Sequence, residues 1–423
     1  MSASNKKTVI IIGGGAAGFF CALRTAKLYP EVRVIILEKT GKLLSKVSVS
    51  GGGRCNVTHD ADYPSTLVKQ YPRGASYLKK AFHQFFVKDT IQWFKERGVE
   101  LKVEEDGRMF PITDRSQTII DCFLNEASAL EVDCRLHANV SKVIVHAKNP
   151  SDEHRKKRFS LELKNGQLME ADYVVVATGG LHHLAGYEWM AELGHPVEKT
   201  VPSLFTINLP KHPISGLMGV SVSDAIVSIP GTKFSERGPV LITHWGLSGP
   251  AVLRLSAWAA FDLEERKYDC EIRVNWLPDF HEQSLNHLFS EMRTARASAK
   301  IGSRNPFGLP SRLWEYHLIQ TGIDLETRWA ELKAVHQHQL AKQICLETFQ
   351  MKGKTTFKEE FVTAGGISLQ EVDANSLESK ITPGLFFAGE VLNVDGVTGG
   401  YNFQHAWTSG WIVAEHLMDR NRC

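Results

Sequence analysis

Three glycines near the start of the sequence have the spacing of a phosphate-binding turn. Gly13, Gly15 and Gly18 form a G-x-G-x-x-G pattern directly after the apolar residues 9–12. In such a turn the first glycine permits the tight bend, the second lets a pyrophosphate approach the backbone, and the third lets the following helix pack closely on the strand. The free N–H groups at the start of that helix also attract phosphate. The pattern therefore predicts a nucleotide site.

The residues around this turn have the pattern of a β-α-β unit. The β-branched runs 9–12 and 32–37 predict two buried parallel strands, and residues 19–28 between them predict a helix. Glu38 comes twenty residues after Gly18, where its carboxylate can accept hydrogen bonds from ribose hydroxyls and repel a 2′-phosphate. These features predict a dinucleotide, either NAD or FAD, and the alternative is a purely structural glycine turn.

A second glycine-rich turn lies near the other end of the sequence. Residues 171–180 and 384–390 predict two further strands, and glycines 399 and 400 precede residues 404–417, which have helical periodicity. The N-terminus of this last helix can also stabilise negative charge. A ligand that reaches both turns favours FAD, the longer of the two dinucleotides, whereas two unrelated turns are the alternative.

The composition is that of a folded protein of two to four domains. The chain has 423 residues, of which 43% are hydrophobic, with 49 Lys+Arg against 47 Asp+Glu. This balance gives no bulk attraction to nucleic acid or to an anionic membrane, so we expect neither as a partner. The apolar stretch 9–23 contains four glycines and is shorter than the roughly 20 residues that span a bilayer, so we expect no signal peptide or membrane anchor.

The cysteines and histidines exclude several other kinds of site. The seven cysteines are Cys21, Cys55, Cys122, Cys134, Cys270, Cys345 and Cys423. Their odd number, wide spacing and lack of a C-x-x-C pattern argue against a disulfide framework, a zinc knuckle and a dithiol reductase. We therefore expect reduced thiols and a cytoplasmic protein. The pair His182-His183 has no carboxylate neighbours, so we predict no metal site.

Four further segments are distinctive enough to indicate a family. They are residues 50–58 (SGGGRCNVT), 243–250 (THWGLSGP), 363–367 (TAGGI) and 384–407 (GLFFAGEVLNVDGVTGGYNFQHAW). Together they resemble the HI0933-like, also called YhiN/BaiN-like, family of FAD-binding flavoproteins in the two-dinucleotide-binding-fold group. The resemblance extends over residues 9–414. His59 stands where the family often has asparagine, and no role is assigned to it.

The resemblance implies one tightly bound FAD and a set of residues that contact it. The implied cofactor-binding residues are Gly13, Gly15, Ala16, Ala17 and Gly18 at the pyrophosphate; Glu38 and Lys39 at the adenosine ribose; Lys46, Gly53, Arg54 and Cys55 along the diphosphate and ribityl chain; Val140 at the adenine; Ala177, Thr178 and Gly179 against the adenosine half; Gly389, Glu390 and Asp395 on the ribityl side; and Gly400, Tyr401, Asn402 and Phe403 at the flavin end.

The resemblance also implies an α/β fold class. A Rossmann-like, glutathione-reductase-like FAD domain (residues 1–195 and 355–423) would carry an inserted antiparallel β-rich domain (196–275 and 346–354) and a small helical domain (276–345). Residues rich in Val and Ile in an alternating pattern predict the inserted strands at 203–209, 219–229, 239–243 and 268–276. Residues 283–299 and 311–351 have a helical pattern.

The function implied is that of an FAD-dependent oxidoreductase acting on a small organic substrate. It would either oxidise a C–N or C–H bond or reduce an activated C=C bond with NAD(P)H, which would bind only transiently because no second complete G-x-G-x-x-G pattern occurs. An RNA-modifying flavoprotein and a non-catalytic flavin sensor are the alternatives. No catalytic side chain is assigned. Cys55, next to Arg54, is a possible nucleophile, but a small residue packed against the cofactor is the favoured interpretation.

Overall fold

The computed structural model of this chain describes residues 6–146, 157–181, 184–303, 305–355 and 362–418. The chain divides into two units, one formed by Met1–Pro202 with Lys358–Cys423 and the other by Ser203–Phe357.

The described residues contain strands β1 (Thr8–Ile12), β2 (Arg33–Leu37), β3 (Thr58–His59), β4 (Leu101–Val103), β5 (Arg108–Pro111), β6 (Asp133–Arg135), β7 (Val140–Val145), β8 (Phe159–Leu163), β9 (Leu168–Ala171), β10 (Tyr173–Val176), β11 (Val197–Ser203), β12 (Thr206–Asn208), β13 (Ser221–Ser228), β14 (Ser235–Ile242), β15 (Gly246–Ser248), β16 (Asp269–Asn275), β17 (Glu347–Lys352), β18 (Lys354–Thr355), β19 (Val362–Ile367) and β20 (Leu385–Phe387). The α-helices are α1 (Ala16–Leu28), α2 (Ser45–Gly53), α3 (Pro64–Leu67), α4 (Ala75–Ala81), α5 (Val87–Lys95), α6 (Ser116–Ala129), α7 (Glu188–Glu192), α8 (Pro250–Trp258), α9 (Ala260–Glu265), α10 (Glu282–Ala295), α11 (Ser311–Gln320), α12 (Ala334–Cys345) and α13 (Tyr401–His416).

A parallel sheet forms the centre of the first unit. Its strand order is β20-β10-β1-β2-β6, and β1 pairs in parallel with β2 on one side and β10 on the other. Every residue of β1 is buried, because a parallel strand covered on both faces has no solvent side and favours continuous β-branched residues. The predicted β-α-β unit is therefore confirmed, and so is the predicted α/β fold class.

Helix α1 packs against the last helix, α13, across a glycine. A Cβ atom at Gly410 would lie 2.6 Å from the backbone oxygen of Ala17 and 3.0 Å from the backbone nitrogen of Cys21. Aromatic rings fill the space beside this contact: Phe20 lies 5.5 Å from Trp407 between ring centroids. The two helices can thus approach closely, and this fixes the end of the chain against the start of the nucleotide motif.

The described residues of the first unit also form three smaller sheets. Strands β3, β5 and β4 form one antiparallel sheet in that order, and β7, β8 and β9 form another. Strands β11 and β19 form a two-stranded sheet, in which a Cβ atom at Gly365 would lie 2.0 Å from the backbone oxygen of Lys199.

The second unit is built on a seven-stranded sheet of order β17-β16-β13-β14-β15-β12-β18, with antiparallel pairing. The predicted strands at 203–209, 219–229, 239–243 and 268–276 correspond to β12, β13, β14 and β16, with different ends. Helices α8 to α12 belong to the same unit. The separate β-rich and helical domains, with their predicted boundaries, stay a prediction.

The helical interpretation of residues 311–351 is wrong at its C-terminal end. Residues 347–352 form strand β17, which pairs with β16 along its whole length, from Asp269↔Lys352 to Val274↔Glu347. Burial alternates from residue to residue in this strand, with Glu347, Phe349 and Met351 buried. This period of two is that of a strand with one covered face, and the preceding helix α12 had hidden it in the sequence pattern.

No helix among the described residues combines the length and the apolar character that a membrane crossing requires.

We expect Gly410→Ala to lower the free energy of unfolding by about 1–3 kcal/mol, because the added methyl group would overlap backbone atoms of α1 that cannot move aside easily. Urea titration of the purified protein, followed by far-UV circular dichroism, measures this. Gly216→Ala is the matched control, since a Cβ atom there meets no atom within 4 Å. Equal stability of the two variants would show that the α1–α13 contact is looser than described.

Candidate functional site

The glycine turn after β1 is held by both neighbouring strands. The Gly13 N–H donates to the carbonyl of Leu37 at 2.8 Å, and the Ala177 N–H donates to the carbonyl of Ile12 at 2.8 Å. Gly13 has φ +118°, and a Cβ atom there would lie 2.2 Å from the Ala177 oxygen. A Cβ atom at Gly18 would lie 2.0 Å from the Gly13 oxygen. Both positions therefore require glycine for packing within the protein itself.

Gly15 differs from its neighbours because it faces open space. A Cβ atom at Gly15 would meet no atom within 4 Å. Gly15 is the N-cap residue of α1, which has no side-chain cap and no acidic residue in its first turn. Ala16 and Ala17 begin this helix, so their N–H groups are among those that have no partner inside it. Such an arrangement would suit an anion that approaches the backbone at Gly15.

Glu38 lies at the end of β2, beside the turn. Its Oε2 accepts a hydrogen bond from the Gly14 N–H at 2.9 Å, and its Oε1 accepts from the Thr40 backbone N–H and hydroxyl, both at 2.8 Å. These hydrogen bonds therefore stabilise the turn and fix the orientation of the Glu38 carboxylate. Lys39, the next residue, is exposed. Val140, predicted at the adenine, is half-buried at the start of β7.

The ends of β10 and β20 bring further predicted residues to the same edge of the sheet. Ala177, Thr178 and Gly179 follow β10, and Gly179 has φ +71° with open space where a Cβ atom would lie. Gly389 and Glu390 follow β20. The parallel register of β20, β10, β1 and β2 places all these residues at carboxyl ends of strands, which is where open α/β sheets bind ligands.

Lys46 and Glu390 connect two of these segments. The Lys46 ammonium lies 2.8 Å from Oε2 of Glu390, while Oε1 of Glu390 accepts from the Thr363 N–H at 2.8 Å. The Thr363 hydroxyl is buried without a hydrogen-bond partner among the described residues. The Lys46–Glu390 ion pair stabilises the position of α2 beside the segment that follows β20. Because its two residues are 344 positions apart, the sequence does not indicate that they pair.

The glycine-rich segment 50–55 interrupts α2 with a kink. Gly51, Gly52 and Gly53 have φ of +58°, +68° and +85°, and Cys55 has φ +63°. A Cβ atom at Gly52 or Gly53 would meet no atom within 4 Å, so the backbone is exposed to an approaching group there, as at Gly15. The SGGGRC pattern thus has a conformational reason, because consecutive left-handed residues favour glycine.

Arg54 is partly exposed and paired, whereas Cys55 is buried. The Arg54 guanidinium lies 2.6 Å from Oε1 of Glu104 and 3.9 Å from the ring centroid of Phe110. Cys55 is fully buried, and burial raises the pKa of its thiol to about 12. Arg54 is thus paired with a carboxylate, and Cys55 is a protonated thiol at neutral pH. A nucleophilic role for Cys55 is disfavoured, because the thiolate is the reactive form.

Asp395 is fully buried and forms a bidentate ion pair with Arg73, with contacts from Oδ1 to Nε and from Oδ2 to Nη2. The two residues also form a β-bridge. The predicted ribityl-side carboxylate therefore anchors residues 70–74, which Val397 also contacts through its N–H to the carbonyl of Gln70 at 2.9 Å. Breaking such a pair from one side would leave a buried charge, which costs several kcal/mol.

Tyr401 is the centre of an aromatic contact at the start of α13. The His59 ring stacks on it at 4.7 Å between centroids, and the Tyr71 hydroxyl donates to its carbonyl at 2.6 Å. Nδ1 of His59 lies 3.1 Å from the carbonyl of Gly399, so this nitrogen carries the proton. Burial lowers the pKa of His59, which keeps the ring neutral. The sequence had assigned no role to this histidine.

The final glycine turn leads directly into α13. Gly400 is the N-cap residue with φ +92°, and the helix has no side-chain cap and no acidic residue in its first turn. Asn402 closes the turn by exchanging two hydrogen bonds of 2.8 Å with the backbone of Gly396. Phe403 stacks on Trp407 at 5.5 Å. The side chains of both residues therefore support the turn, and the helix N-terminus remains available to stabilise negative charge.

These observations fit FAD. The N-termini of α1 and α13 have neither a side-chain cap nor an acidic residue in the first turn, and a Cβ atom would meet open space at Gly15, Gly52, Gly53 and Gly179. Gly15 and α1 would hold the pyrophosphate, Glu38 the ribose, and Gly400 with α13 the flavin end. No group of three or more His, Cys, Asp or Glu suited to a metal ion occurs among the residues described. The pair His182-His183 lies outside them.

Several residues that matter to this arrangement gave no local signal in the sequence. Arg73 and Tyr71 contact residues more than three hundred positions away, and Thr363 contacts Glu390, 27 positions away. His405, one turn into α13, is buried with Nε2 at 3.2 Å from the Gly389 carbonyl, and burial lowers its pKa to about 4, so it is neutral. Thr363 and His405 lie inside the distinctive segments 363–367 and 384–407, and His59 directly follows the segment 50–58, but nothing in these segments indicates which residues they contact.

We expect Gly15→Val to lose most of the bound FAD while the protein still folds, because its side chain enters open space that the pyrophosphate requires. The ratio of flavin to protein absorbance in the purified variant measures the loss. The melting temperature should match that of wild-type protein stripped of flavin. Gly18→Val is the contrasting variant. It should lose both the flavin and the fold, because the added side chain would overlap the Gly13 carbonyl. Full flavin occupancy in Gly15→Val would contradict the placement of the pyrophosphate.

We expect Cys55 to resist alkylation by iodoacetamide at pH 8 in the native protein. Its raised pKa of about 12 means that the thiolate appears only as the pH approaches that value, and burial blocks access. Peptide mass spectrometry with and without urea measures this. Cys134, which is only half-buried, is the internal comparison. Rapid modification of Cys55 in the folded protein would restore it as a candidate nucleophile.

The sequence belongs with known proteins along nearly its whole length. The HI0933-like protein Rossmann domain family matches residues 7–416. A ribosomal RNA dihydrouridine synthase of Escherichia coli (strain K12) is 32% identical, over 97% of both chains. A similarly named protein of Haemophilus influenzae is 30% identical, over 96% of this chain and 97% of that one. A 3-dehydro-bile acid delta(4,6)-reductase of Clostridium scindens is 27% identical, over 97% and 98%.

Solved structures share the fold at low sequence identity. The 3-ketosteroid-delta4-(5alpha)-dehydrogenase of Rhodococcus jostii RHA1 superposes with a TM-score of 0.50 at 14% identity, covering 98% of each chain. The FrdA chain of E. coli quinol fumarate reductase has a TM-score of 0.50 at 16% identity, over 97% of this chain and 70% of that one. The predicted family and the predicted FAD-dependent oxidoreductase class are confirmed. This chain belongs to the HI0933-like family of FAD-binding flavoprotein oxidoreductases.

Proposed function

We propose that this protein reduces a carbon–carbon double bond conjugated to a carbonyl group, with NAD(P)H as the transient electron donor to its FAD. The observation that carries this is the chemistry shared by its full-length relatives. Dihydrouridine is uridine whose conjugated ring C=C bond has been saturated, and a delta(4,6)-reductase of a 3-dehydro compound saturates double bonds conjugated to the 3-oxo group. Relatives with different substrates are thus named for the same reaction.

The residues of the site support this proposal in the following way. Bound FAD would supply the hydride transfer. Gly15 and the N-terminus of α1 would hold its pyrophosphate, Glu38 would accept from the ribose, and the N-terminus of α13 would stabilise negative charge at the flavin end. Lys46 and Asp395 have carboxylate or guanidinium partners within the protein, so they would act by positioning segments around the cofactor.

Reduction of the double bond requires a hydride at one carbon and a proton at the other. Two described side chains can be assessed as the proton donor, Cys55 and His59. Cys55 is buried and protonated, and no second cysteine forms a thiol pair with it among the described residues, so dithiol chemistry is disfavoured. His59 is neutral, with its proton on Nδ1 directed at the Gly399 carbonyl. In this tautomer Nε2 is an acceptor and cannot supply a proton. Neither Cys55 nor His59 is therefore suited to supply this proton.

The substrate of the proposed reaction has two candidates. The first candidate is a small enone, which agrees with the predicted small organic substrate. The relative named as a bile acid reductase supports this candidate, because its name describes the reduction of such a compound. A uracil ring within ribosomal RNA is the second candidate, because the relatives at 32% and 30% identity are both named for that reaction. The expectation that nucleic acid is not a partner is therefore not confirmed. That expectation was based on the net charge of the whole chain, and a net charge does not reveal a local basic region on the surface.

We expect NADPH or NADH to reduce the flavin under anaerobic conditions, and an activated alkene to reoxidise it. Stopped-flow absorbance of the holoenzyme measures both steps, with a 3-keto-4-ene steroid in one arm and an unmodified ribosomal RNA transcript in the other. Mass spectrometry then detects the gain of two hydrogens in the steroid or in uridine. A saturated 3-keto steroid and RNA digested to nucleosides are the matched controls. Reoxidation by oxygen alone, with no alkene consumed, would instead favour an oxidase and contradict the proposal.

A further inference from the structure

We propose that the exposed lysines of residues 63–88 form a docking surface for single-stranded RNA. They would bind the phosphates on either side of the uracil base that the flavin reduces. We call these lysines, Lys69, Lys79, Lys80 and Lys88, the basic surface. This inference rests on the proposed function in the form that has RNA as its substrate. It names the part of the protein that would hold the substrate backbone.

The charge of this segment differs from the balance of the whole chain. Residues 63–88 contain five Lys or Arg and no Asp or Glu, whereas the whole chain has 49 of the former against 47 of the latter. Arg73 is paired with the buried Asp395, so one of the five charges serves the fold. The other four belong to the basic surface. A local excess of this kind is hidden in a net charge of +2.

The four lysines are directed to solvent because the opposite side of the segment is buried. Tyr77, Leu78, Phe82, Phe85 and Phe86 are each at most 7% exposed, while all four lysines are exposed. No ion pair joins these lysines to a carboxylate within the part of the chain that the structure describes. Unpaired, exposed ammonium groups retain their full attraction for an anionic partner, whereas paired ones do not.

The basic surface begins where the predicted flavin end of the site lies. Tyr71 donates to the Tyr401 carbonyl at 2.6 Å, and Val397 donates to Gln70 at 2.9 Å. Gly74, the N-cap of α4, packs so closely on Val394 that a Cβ atom would lie 2.6 Å from it. Helix α4 then runs from Gly74 toward Lys79 and Lys80, which is about 9 Å along its axis. This distance suits contacts to nucleotides that flank a base at the flavin.

RNA fits this surface better than a small anion does. Enzymes that act on a base require it unstacked, so the flanking strand must be held by its phosphates while the base enters the site. Each lysine that neutralises a phosphate releases counterions, and the affinity then depends steeply on salt. Lys69 lies before α4, Lys79 and Lys80 lie near the end of α4, and Lys88 lies at the start of α5. Ammonium groups on three separate elements suit several phosphates of one chain better than one compact anion.

The test compares the holoenzyme with the variant Lys79→Gln/Lys80→Gln/Lys88→Gln. A fluorescently labelled, uridine-containing single-stranded RNA of about 16 nucleotides, the upper site size of a single-strand-binding module, serves as the probe. Anisotropy titrations over a range of salt concentrations give the slope of log affinity against log salt. We expect the slope to fall in magnitude by about 2, which corresponds to roughly a hundredfold weaker binding at 0.1 M salt if the two proteins converge at 1 M.

The matched control is Lys27→Gln/Lys142→Gln/Lys164→Gln, which removes the same charge from exposed positions of the same unit outside the segment. It should keep the wild-type slope. Wild-type protein that does not bind the RNA in a salt-dependent manner, or equal losses in both triple variants, would overturn the inference. Flavin content and anaerobic reduction by NAD(P)H are measured in parallel and should be equal in all three proteins. A flavin that no nicotinamide reduces would refute the proposed function separately, whatever the RNA titrations show.

Discussion

The close backbone contact at the carboxyl end of β1 is the constraint on which the nucleotide site depends. Gly13 lies against the carbonyl of Ala177, and Gly18 lies against the carbonyl of Gly13, with no room for a Cβ atom at either position. The overlaps involve backbone on both sides, so no rotamer change can relieve them. The start of α1 is thereby fixed at the edge of the sheet, between the strand that carries Glu38 and the strand that precedes Gly179.

Helices α1 and α13, which follow the two glycine turns of the predicted cofactor site, pack against each other across Gly410. This contact brings the glycine turn before α13 to the same side of the first unit as the segment 50–55. The ion pair between Arg73 and Asp395 fixes the intervening chain. Both interactions join residues more than three hundred positions apart, and both Gly410 and Asp395 are buried. The site is therefore a product of tertiary packing as much as of its motifs.

The sequence predicted those parts of the fold whose physical cause is local. The run 9–12, the three glycines and Glu38 specify a β-α-β unit by period and spacing, and the structure has it. The strand at 347–352 was missed because a helical pattern preceded it without a turn signal. The partners of Asp395 and Tyr401 could not be inferred, because nothing in the local sequence marks a contact with Arg73 or His59. The assignment of individual side chains to the cofactor stays a prediction.

Strands β11 and β19 pair with each other, and the chain between them makes up the whole second unit. The polypeptide therefore leaves the nucleotide-binding unit and returns to it through adjacent strands. A segment whose two ends are neighbours can be lengthened, shortened or exchanged during evolution without rerouting the scaffold that carries it. Sequence changes, insertions or deletions in the second unit would then leave the connectivity of the first unit unchanged.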